Sequence, residues 1–311
     1  MIDDNVFVEK EKIVNKAKSL FSELSASNDL SPSPHINKNF CSLVSLSVEN
    51  NYCFPYAIKE LEDEGFLDKI RQICAKGEME LEYFWCKKIL SKKASIQDFP
   101  YYENYDFLTD FELKILSKYL DLKDKKMLYV GSGTLPLTVL MFEQKNPLLK
   151  ITCIDCDKTA VAYSNRLFHS LGSHLNCLQF NVSDLGLSEL NLNDFDLVFV
   201  GALVGESNKE KNEYLENLLP LLKPNCVMVV RSVPFDGRML LYPKFILNDN
   251  LKHRCTVLGE FEPDLESGVI NSLMVLSKME RVMVVNETQD SLKKNKKVIM
   301  HASHVLNGTL K

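Results

Sequence analysis

Residues 126 to 144 constrain the fold more than any other segment, because a short apolar run passes directly into a glycine turn and then into a helical pattern. The apolar run predicts a strand over Lys126–Val130, and the turn supplies Gly131 and Gly133. Glycine adopts backbone conformations that other residues avoid, and Pro136 suits a first helical turn, where its missing N–H would have no partner. The segment therefore predicts a strand, turn and helix that open a nucleotide-sized pocket.

The chain from residue 127 to 280 alternates short β-rich runs with helical stretches, which is typical of a mostly parallel sheet with helices on both faces. The predicted strands are Lys126–Val130, Lys150–Asp155, Asn176–Phe180, Leu197–Val200, Cys226–Arg231, Lys252–Leu258 and Ile270–Ser277. The fold class, and not the residues, implies that the last two strands are antiparallel. The predicted helices between them are Leu137–Gln144, Lys158–Leu171 and Lys209–Leu222.

The residues before 126 have a helical texture without a convincing strand, with predicted helices over Ala57–Ala75 and Gly77–Ser91. We therefore predict an α/β, Rossmann-like sheet of the S-adenosylmethionine (SAM)-dependent transferase type, preceded by an N-terminal all-helical cap domain. The predicted divisions are a helical cap or acceptor domain over 1–122, a SAM-binding domain over 123–281, and a tail of unknown role over 282–311.

Composition excludes several functional classes. The net charge of −5 is spread along the chain and forms no basic stripe, which argues against a nucleic-acid or anionic-membrane partner. The chain lacks an apolar run of the ~20 residues that a membrane span needs and shows no signal-peptide pattern at its start. Nine scattered cysteines, with Cys153 and Cys156 the one close pair, predict reduced thiols in the cytoplasm and no metal requirement.

The type of cofactor is indicated by Pro136, which stands where a dinucleotide fold would have its third glycine. This favours a SAM-type nucleoside site over a pyrophosphate site. Asp155 ends the second predicted strand and could accept both ribose hydroxyl hydrogens, while Asp184 could receive the adenine amino group or form a turn or helix cap. The predicted cofactor-binding residues are Gly131, Ser132, Gly133, Leu135, Asp155, Asp157, Asn181, Asp184, Gly201, Ala202 and Leu203.

Two arginines follow the fifth predicted strand and could hold substrate carboxylates in bidentate pairs. The predicted substrate-binding residues are Arg231, Arg238 and Tyr242.

Several segments in this order resemble the nicotianamine synthase family, including the bacterial opine-metallophore synthases of the staphylopine and pseudopaline type. The similar segments are Cys74–Glu82, Phe99–Tyr105, Gly131–Thr138, Ile154–Asp157, Asp196–Gly205 and Arg231–Pro243. Two regions depart from the family pattern: the loop Val233–Asp236, which is shorter in the plant members, and the tail beyond residue 281. The second substrate therefore stays open.

The resemblance implies that an amine attacks the γ-carbon of the aminobutyrate limb of SAM, releasing 5′-methylthioadenosine. The attacking amine must lose a proton, so a base is required. Glu78 and Glu82 lie four residues apart on one face of a predicted helix, and residue pattern alone would place both on a solvated face. The resemblance instead favours Glu82 and Tyr105 as catalytic residues, followed by Glu78 and Tyr101.

The implied product is a nicotianamine-like or opine-type metallophore, or its intermediate, made by an aminobutanoyltransferase from an acceptor such as histidine or a second SAM-derived unit. Amine nitrogens and carboxylate oxygens of such a product bind transition metals. Two other hypotheses are a SAM-dependent methyltransferase acting on a small amine and a non-catalytic SAM-fold interaction module. The partners considered are a small-molecule amino-acid acceptor and a second copy of the chain in a homodimer.

Overall fold

The computed structural model describes residues 4–49, 51–181, 190–264 and 267–279, and all structural statements below refer to these residues. The described residues up to Met279 belong to one compact unit. The predicted tail over 282–311 lies outside the described residues. None of the described helices is long and apolar enough to cross a membrane.

Five helices precede the sheet: α1 (Asp4–Ser25), α2 (Pro34–Ser47), α3 (Phe54–Asp63), α4 (Leu67–Leu90) and α5 (Tyr102–Leu116). Four more are interspersed with the strands: α6 (Leu137–Lys145), α7 (Lys158–Leu171), α8 (Asn208–Leu218) and the short α9 (Asp249–Lys252). The strands are β1 (Lys126–Val130), β2 (Lys150–Asp155), β3 (Cys177–Gln179), β4 (Leu197–Val200), β5 (Val227–Ser232), β6 (Cys255–Phe261) and β7 (Ser272–Lys278).

The seven strands form one sheet in the order β3-β2-β1-β4-β5-β7-β6. The first five strands pair in parallel, and β7 lies antiparallel to both β5 and β6. The chain leaves β1 toward β2 and returns to its other side at β4, so the carboxyl ends of β1 and β4 flank the crevice where such sheets bind ligands. The predicted fold class and the antiparallel final pair are confirmed.

The two faces of the sheet bury separate sets of side chains. Tyr129 of β1 stacks on Phe199 of β4, with ring centroids 5.1 Å apart, on the face covered by α5 and α6. On the other face, Val130 and Val200 pack with Leu215 of α8. Strands covered on both faces read as continuous apolar runs, which is why the sequence predicts their positions well.

The predicted boundary between the two cap helices is wrong. The helices are separated at Gly65, whose φ of 68° ends α3, and α4 continues without interruption through Gly77. A Cβ at Gly77 would lie 2.1 Å from Cζ of Phe40, so this glycine serves the close approach of α2 to α4 and does not end a helix. The predicted helix Lys209–Leu222 ends as α8 at Leu218, and a 3₁₀ turn containing Pro220 follows.

Candidate active site

A cavity of about 1050 Å³ lies between the N-terminal helices and the carboxyl edge of the sheet. Its wall is formed by α2, α4 and α5 on one side and by the segments that follow β1, β2, β4 and β5 on the other. Single-ligand sites in proteins usually occupy about 300–1,000 Å³. The cavity therefore has room for more than one reactant.

The glycine loop after β1 forms the wall at one end of the cavity. Gly131 and Gly133 have φ values of 77° and 71°, in the left-handed region that favours glycine. A Cβ at Gly131 would lie 2.4 Å from Cγ2 of Val204, and one at Gly133 would lie 2.5 Å from Oε2 of Glu82. Pro136 immediately precedes α6, as its position in the sequence predicts. Backbone conformation therefore favours glycine at both positions, and a side chain there would have to displace Val204 or Glu82.

Asp155 ties the glycine loop to the end of β2. Its Oδ2 accepts a hydrogen bond from the Gly133 N–H at 2.9 Å, and its Oδ1 accepts one from the Asp157 N–H at 3.0 Å. Asp157 in turn caps α7 by accepting from the Thr159 N–H at 2.7 Å. Both carboxylates line the cavity, and burial raises the pKa of Asp155. Because each carboxylate oxygen accepts more than one hydrogen bond, the predicted ribose contact of Asp155 is compatible with these bonds.

Glu82 reaches from α4 to the glycine loop. Its Oε2 accepts hydrogen bonds from the backbone N–H groups of Thr134 at 3.0 Å and Leu135 at 3.3 Å. Burial, with the nearby charges of Glu78 and Asp155, raises the pKa of Glu82 to about 8 despite these two bonds. A carboxyl group with a pKa near neutrality is suited to proton transfer at physiological pH.

Glu78 lies one turn earlier on α4 and faces the same cavity. Its Oε2 accepts a hydrogen bond from the Tyr242 hydroxyl at 2.6 Å, a contact that joins positions 164 residues apart. Burial raises the pKa of Glu78, and the Tyr242 bond and the charge of Arg231 oppose that rise. The prediction that Glu78 and Glu82 share a face that turns toward the cavity is thus matched by their positions.

The two predicted catalytic tyrosines line the cavity beside these carboxylates. Burial and the charges of Glu78 and Glu82 raise the pKa of Tyr105 well above its ordinary value. Burial also raises the pKa of Tyr101, and Phe99 packs edge-on against both tyrosine rings. Each hydroxyl is therefore protonated at neutral pH and can donate a hydrogen bond.

Arg231 is 5% exposed and enters the cavity wall from β5. Its Nε and Nη2 donate to Glu112 of α5 at 2.7 and 2.9 Å, and Nη2 also donates to the Thr138 hydroxyl at 2.9 Å. Burial opposes the charge, yet the carboxylate of Glu112 holds the pKa of Arg231 above its ordinary value. Two of the three guanidinium nitrogens are thus already bound within the protein.

Arg238 requires a correction, because the described cavity wall does not include it. Its Nε and Nη2 donate to Asp236, two residues earlier, at 3.0 and 2.6 Å. The side chain is buried in this local ion pair under the loop after β5. A nearby carboxylate in the sequence therefore takes the arginine that we predict to bind substrate.

The remaining predicted residues are distributed as follows. Tyr242 lines the cavity, and so do six further cofactor-binding candidates: Ser132, Leu135, Asn181, Gly201, Ala202 and Leu203. One cofactor-binding candidate, Asp184, lies outside the described residues.

Sequence reasoning missed two buried ionisable side chains that support the site. Lys211 of α8 is 2% exposed, and its Nζ donates to the carbonyl oxygens of Ala202 at 2.6 Å and Gly201 at 3.4 Å. Burial lowers the pKa of Lys211 to about 7. Glu112 could have been noticed, because it interrupts the apolar stripe of Leu108 and Ile115 on α5. Lys211 gave no such signal, since lysine on a surface helix is ordinarily solvated.

Comparison of the sequence with known proteins identifies its family. The family model described as nicotianamine synthase protein matches residues 5–283. The chain belongs to the nicotianamine synthase family. It is 30% identical to the nicotianamine synthase of Solanum lycopersicum over 86% of this chain and 84% of that protein. It is 28% identical to nicotianamine synthase 2 of Oryza sativa subsp. japonica over 86% and 83% of the two chains.

Solved structures share the fold of this family member. A crystal structure of MtNAS in complex with MTA and tNA covers 86% of this chain and 98% of its own, with a TM-score of 0.70 and 17% identity. A variant of MtNAS in which glutamine replaces a glutamate, in complex with S-adenosylmethionine, gives a TM-score of 0.70 at 16% identity over 86% and 98% of the two chains. The resemblance inferred from the sequence motifs is therefore confirmed.

Proposed function

We propose that this chain transfers the 3-amino-3-carboxypropyl group of SAM to an amine and releases 5′-methylthioadenosine. The observation that carries the proposal is Glu82, a carboxylate of raised pKa that two backbone N–H groups fix against the glycine loop of a cavity large enough for two reactants. Membership of the nicotianamine synthase family supports the choice of reaction.

In this proposal the adenosyl part of SAM lies against the glycine loop after β1. Asp155 and Asp157 would contact the ribose, and Gly201–Leu203 would flank the base or the methionine chain. Six carboxylates line the described cavity wall: Glu78, Glu82, Asp155, Asp157, Glu206 and Glu210. Their combined negative potential attracts cations, which suits a sulfonium donor and an ammonium acceptor.

The proposed reaction is an in-line displacement at the γ-carbon. The acceptor nitrogen forms a bond to that carbon while the carbon–sulfur bond breaks, and the electron pair of that bond returns to sulfur. Glu82 takes the proton that the acceptor nitrogen must lose, and the Tyr105 hydroxyl orients the nitrogen. Position alone selects the γ-carbon over the methyl group, because the leaving group of each attack is a neutral thioether.

Bound SAM would prepare Glu82 for this role. A positive sulfonium close to the carboxylate favours its charged form and so lowers its pKa from the value of about 8 in the empty site. Glu78, held by Tyr242, would keep a second negative charge close to the donor and steer the acceptor ammonium. The empty enzyme would thus hold Glu82 largely protonated and the donor complex would hold it ionised.

The product would carry amines and carboxylates in a chain that can surround a transition metal. Histidine and a second SAM-derived unit are the proposed acceptors, and we propose a homodimer. In the described residues no group of three His, Cys, Asp or Glu side chains could hold a metal ion. All nine cysteines carry free thiols, which is compatible with the cytoplasmic location we propose.

An acceptor screen tests the function. The purified chain is incubated with SAM alone and with SAM plus L-histidine, D-histidine or other amino acids, and products are identified by mass spectrometry. We expect 5′-methylthioadenosine and an acceptor heavier by one aminocarboxypropyl group. Release of S-adenosylhomocysteine alone would identify a methyltransferase, and SAM binding without turnover of any acceptor would identify a binding module. Either result contradicts the proposal.

A further inference from the structure

We propose that Arg231 and Asn271 form a binding site for the α-carboxylate of an amino-acid group, at the end of the cavity opposite the nucleoside. The inference rests on the proposed function and deepens it. The carboxylate could belong to the aminobutyrate limb of SAM or to the acceptor. These two sources present the same chemistry, and the experiment below separates them.

Strand register places the two side chains on the same face of the sheet. Arg231 of β5 pairs with Leu273 of the antiparallel strand β7. Asn271 lies two residues before Leu273, just ahead of β7, and side chains two residues apart point to the same face. Diagonal neighbours of this kind are within reach of long side chains. Both Arg231 and Asn271 line the cavity.

Each of the two side chains has a hydrogen-bond donor that the protein leaves unused. The Nε and Nη2 atoms of Arg231 are bound to Glu112 and Thr138, and no described residue accepts a hydrogen bond from Nη1. The Nδ2 atom of Asn271 is buried, and it too has no hydrogen-bond partner in the described part of the chain. Buried donors are ordinarily paired, so the unpaired Nδ2 atom of Asn271, in the same cavity wall as Arg231, indicates an acceptor supplied by a ligand.

A carboxylate is the ligand group that fits these donors best. It can accept one hydrogen bond on each oxygen, as guanidinium and amide N–H groups require. Arg231 is the one cationic side chain in the described cavity wall, whose other charged residues are carboxylates that repel an anion. Because Glu112 balances the charge of Arg231, the site would hold its ligand mainly through directed hydrogen bonds and would bind it moderately.

The position in the sheet agrees with an amino-acid group. β5 lies two strands from β1 in the sheet order, which corresponds to about 10 Å at the usual strand spacing. That separation leaves the glycine loop to the nucleoside and assigns the β5–β7 end to the amino-acid part of the donor or to the acceptor.

The first arm of the test compares three ligands by titration calorimetry: SAM, decarboxylated SAM, which lacks only the carboxylate, and 5′-methylthioadenosine, which lacks the whole limb. We expect the wild-type chain to bind SAM about 10-fold more tightly than decarboxylated SAM. Asn271→Asp, which replaces a donor by a negative charge with little change in shape, should reduce this preference to about twofold. Affinity for 5′-methylthioadenosine should stay unchanged, which shows that the variant is folded.

The second arm measures histidine against histamine, its decarboxylated counterpart, in the presence of 5′-methylthioadenosine. If the carboxylate belongs to the acceptor, Asn271→Asp removes the preference for histidine and leaves the preference for SAM over decarboxylated SAM intact. Asn37→Asp serves as the matched control, because it makes the same change elsewhere in the cavity wall, on α2. We expect this control to keep both preferences.

The proposal is overturned if Asn271→Asp alters neither preference, or if Asn37→Asp alters them equally. Because these measurements need no turnover, they are independent of the proposed function. A chain that released S-adenosylhomocysteine could still show the carboxylate preference, and a chain that released 5′-methylthioadenosine could still lack it.

Discussion

The two ends of the cavity are built in different ways. At the glycine-loop end, consecutive residues after β1 present backbone N–H groups, and Asp155 and Glu82 bind to them. At the β5–β7 end, Arg231 is held by Glu112 of α5 and Thr138 of α6, which lie 119 and 93 positions away. The first end depends on backbone conformation and the second on buried side-chain pairs, so each should fail through a different kind of substitution.

The largest expected effect comes from Glu82, the residue that joins the glycine loop to the cap helices. Glu82→Gln keeps an oxygen that can accept from the Thr134 N–H but cannot take a proton. We expect kcat/KM to fall by roughly 10²–10⁴ while SAM binding is retained. Steady-state release of 5′-methylthioadenosine measures this. The matched control is Glu80→Gln, on the same helix but not in the described cavity wall, and an equal loss there would refute the assignment.

Glu112→Gln attacks the β5–β7 end by leaving the buried guanidinium of Arg231 without its counter-charge. Removing one partner of a buried ion pair lowers the free energy of unfolding by about 3–5 kcal/mol. Chemical denaturation gives the value. Asp110→Asn on the same helix removes a pair whose aspartate side chain is 67% exposed, and should change the free energy by less than about 1 kcal/mol. Equal effects of the two variants would remove the contrast between the ends.

Gly133→Ala attacks the glycine-loop end. The added Cβ meets a φ of 71° and would lie 2.5 Å from Oε2 of Glu82. We expect SAM affinity to fall roughly 10-fold to 100-fold, because the Glu82 carboxylate must shift away from the loop, in addition to the strain of a left-handed conformation. Gly172→Ala introduces only the strain of a left-handed backbone, because φ of Gly172 is 69° and no atom lies within 4 Å of the added Cβ. Calorimetry should show normal SAM binding by this control.

Lys211→Met tests whether the loop after β4 needs the hydrogen bonds that the buried Lys211 donates to its backbone. The change removes the donor to the Ala202 and Gly201 carbonyl oxygens and retains most of the buried chain. We expect the KM for SAM to rise roughly threefold to tenfold with kcat nearly unchanged. Lys209→Met, whose side chain is 85% exposed, is the control and should behave as wild type. A loss confined to kcat would argue against a role in positioning the donor.

The smallest expected effect is a pH-dependent gain in stability. The pKa of Glu82 is raised to about 8 in the folded protein, so the folded state binds this proton more tightly than the unfolded state. The contribution of Glu82 to the free energy of unfolding is therefore complete at a pH below the pKa that Glu82 has in the unfolded chain. This contribution is lost as the pH rises toward 8, the pKa of Glu82 in the folded protein. Glu82→Gln should raise the Tm by a few degrees at pH 9 and by much less at pH 5. A uniform shift at both pH values would contradict the burial of a charge.

The same contrast explains what the sequence could predict. Gly131, Gly133, Pro136 and Asp155 are close in sequence, so local backbone rules locate them. The pairing of Arg231 with Glu112 and the bond from Tyr242 to Glu78 join positions 119 and 164 residues apart, which no local pattern reveals. Arg238 lies outside the described cavity wall because Asp236, two residues earlier, pairs with its Nε and Nη2 atoms. The predicted start of a helix at Gly77 is wrong because the reason for this glycine, its contact with Phe40, comes from a different helix.

The position of α4 has a consequence for engineering. This helix carries Glu78 and Glu82, Gly77 packs against Phe40 of α2, and Tyr83 bonds to Tyr163 of α7. Any displacement of α4 would move both carboxylates together, so a library aimed at new chelators should keep it constant. Diversity belongs in the α2 wall and in residues 268–270, where acceptor shape can change while Asn271 and the proton-transfer geometry are preserved.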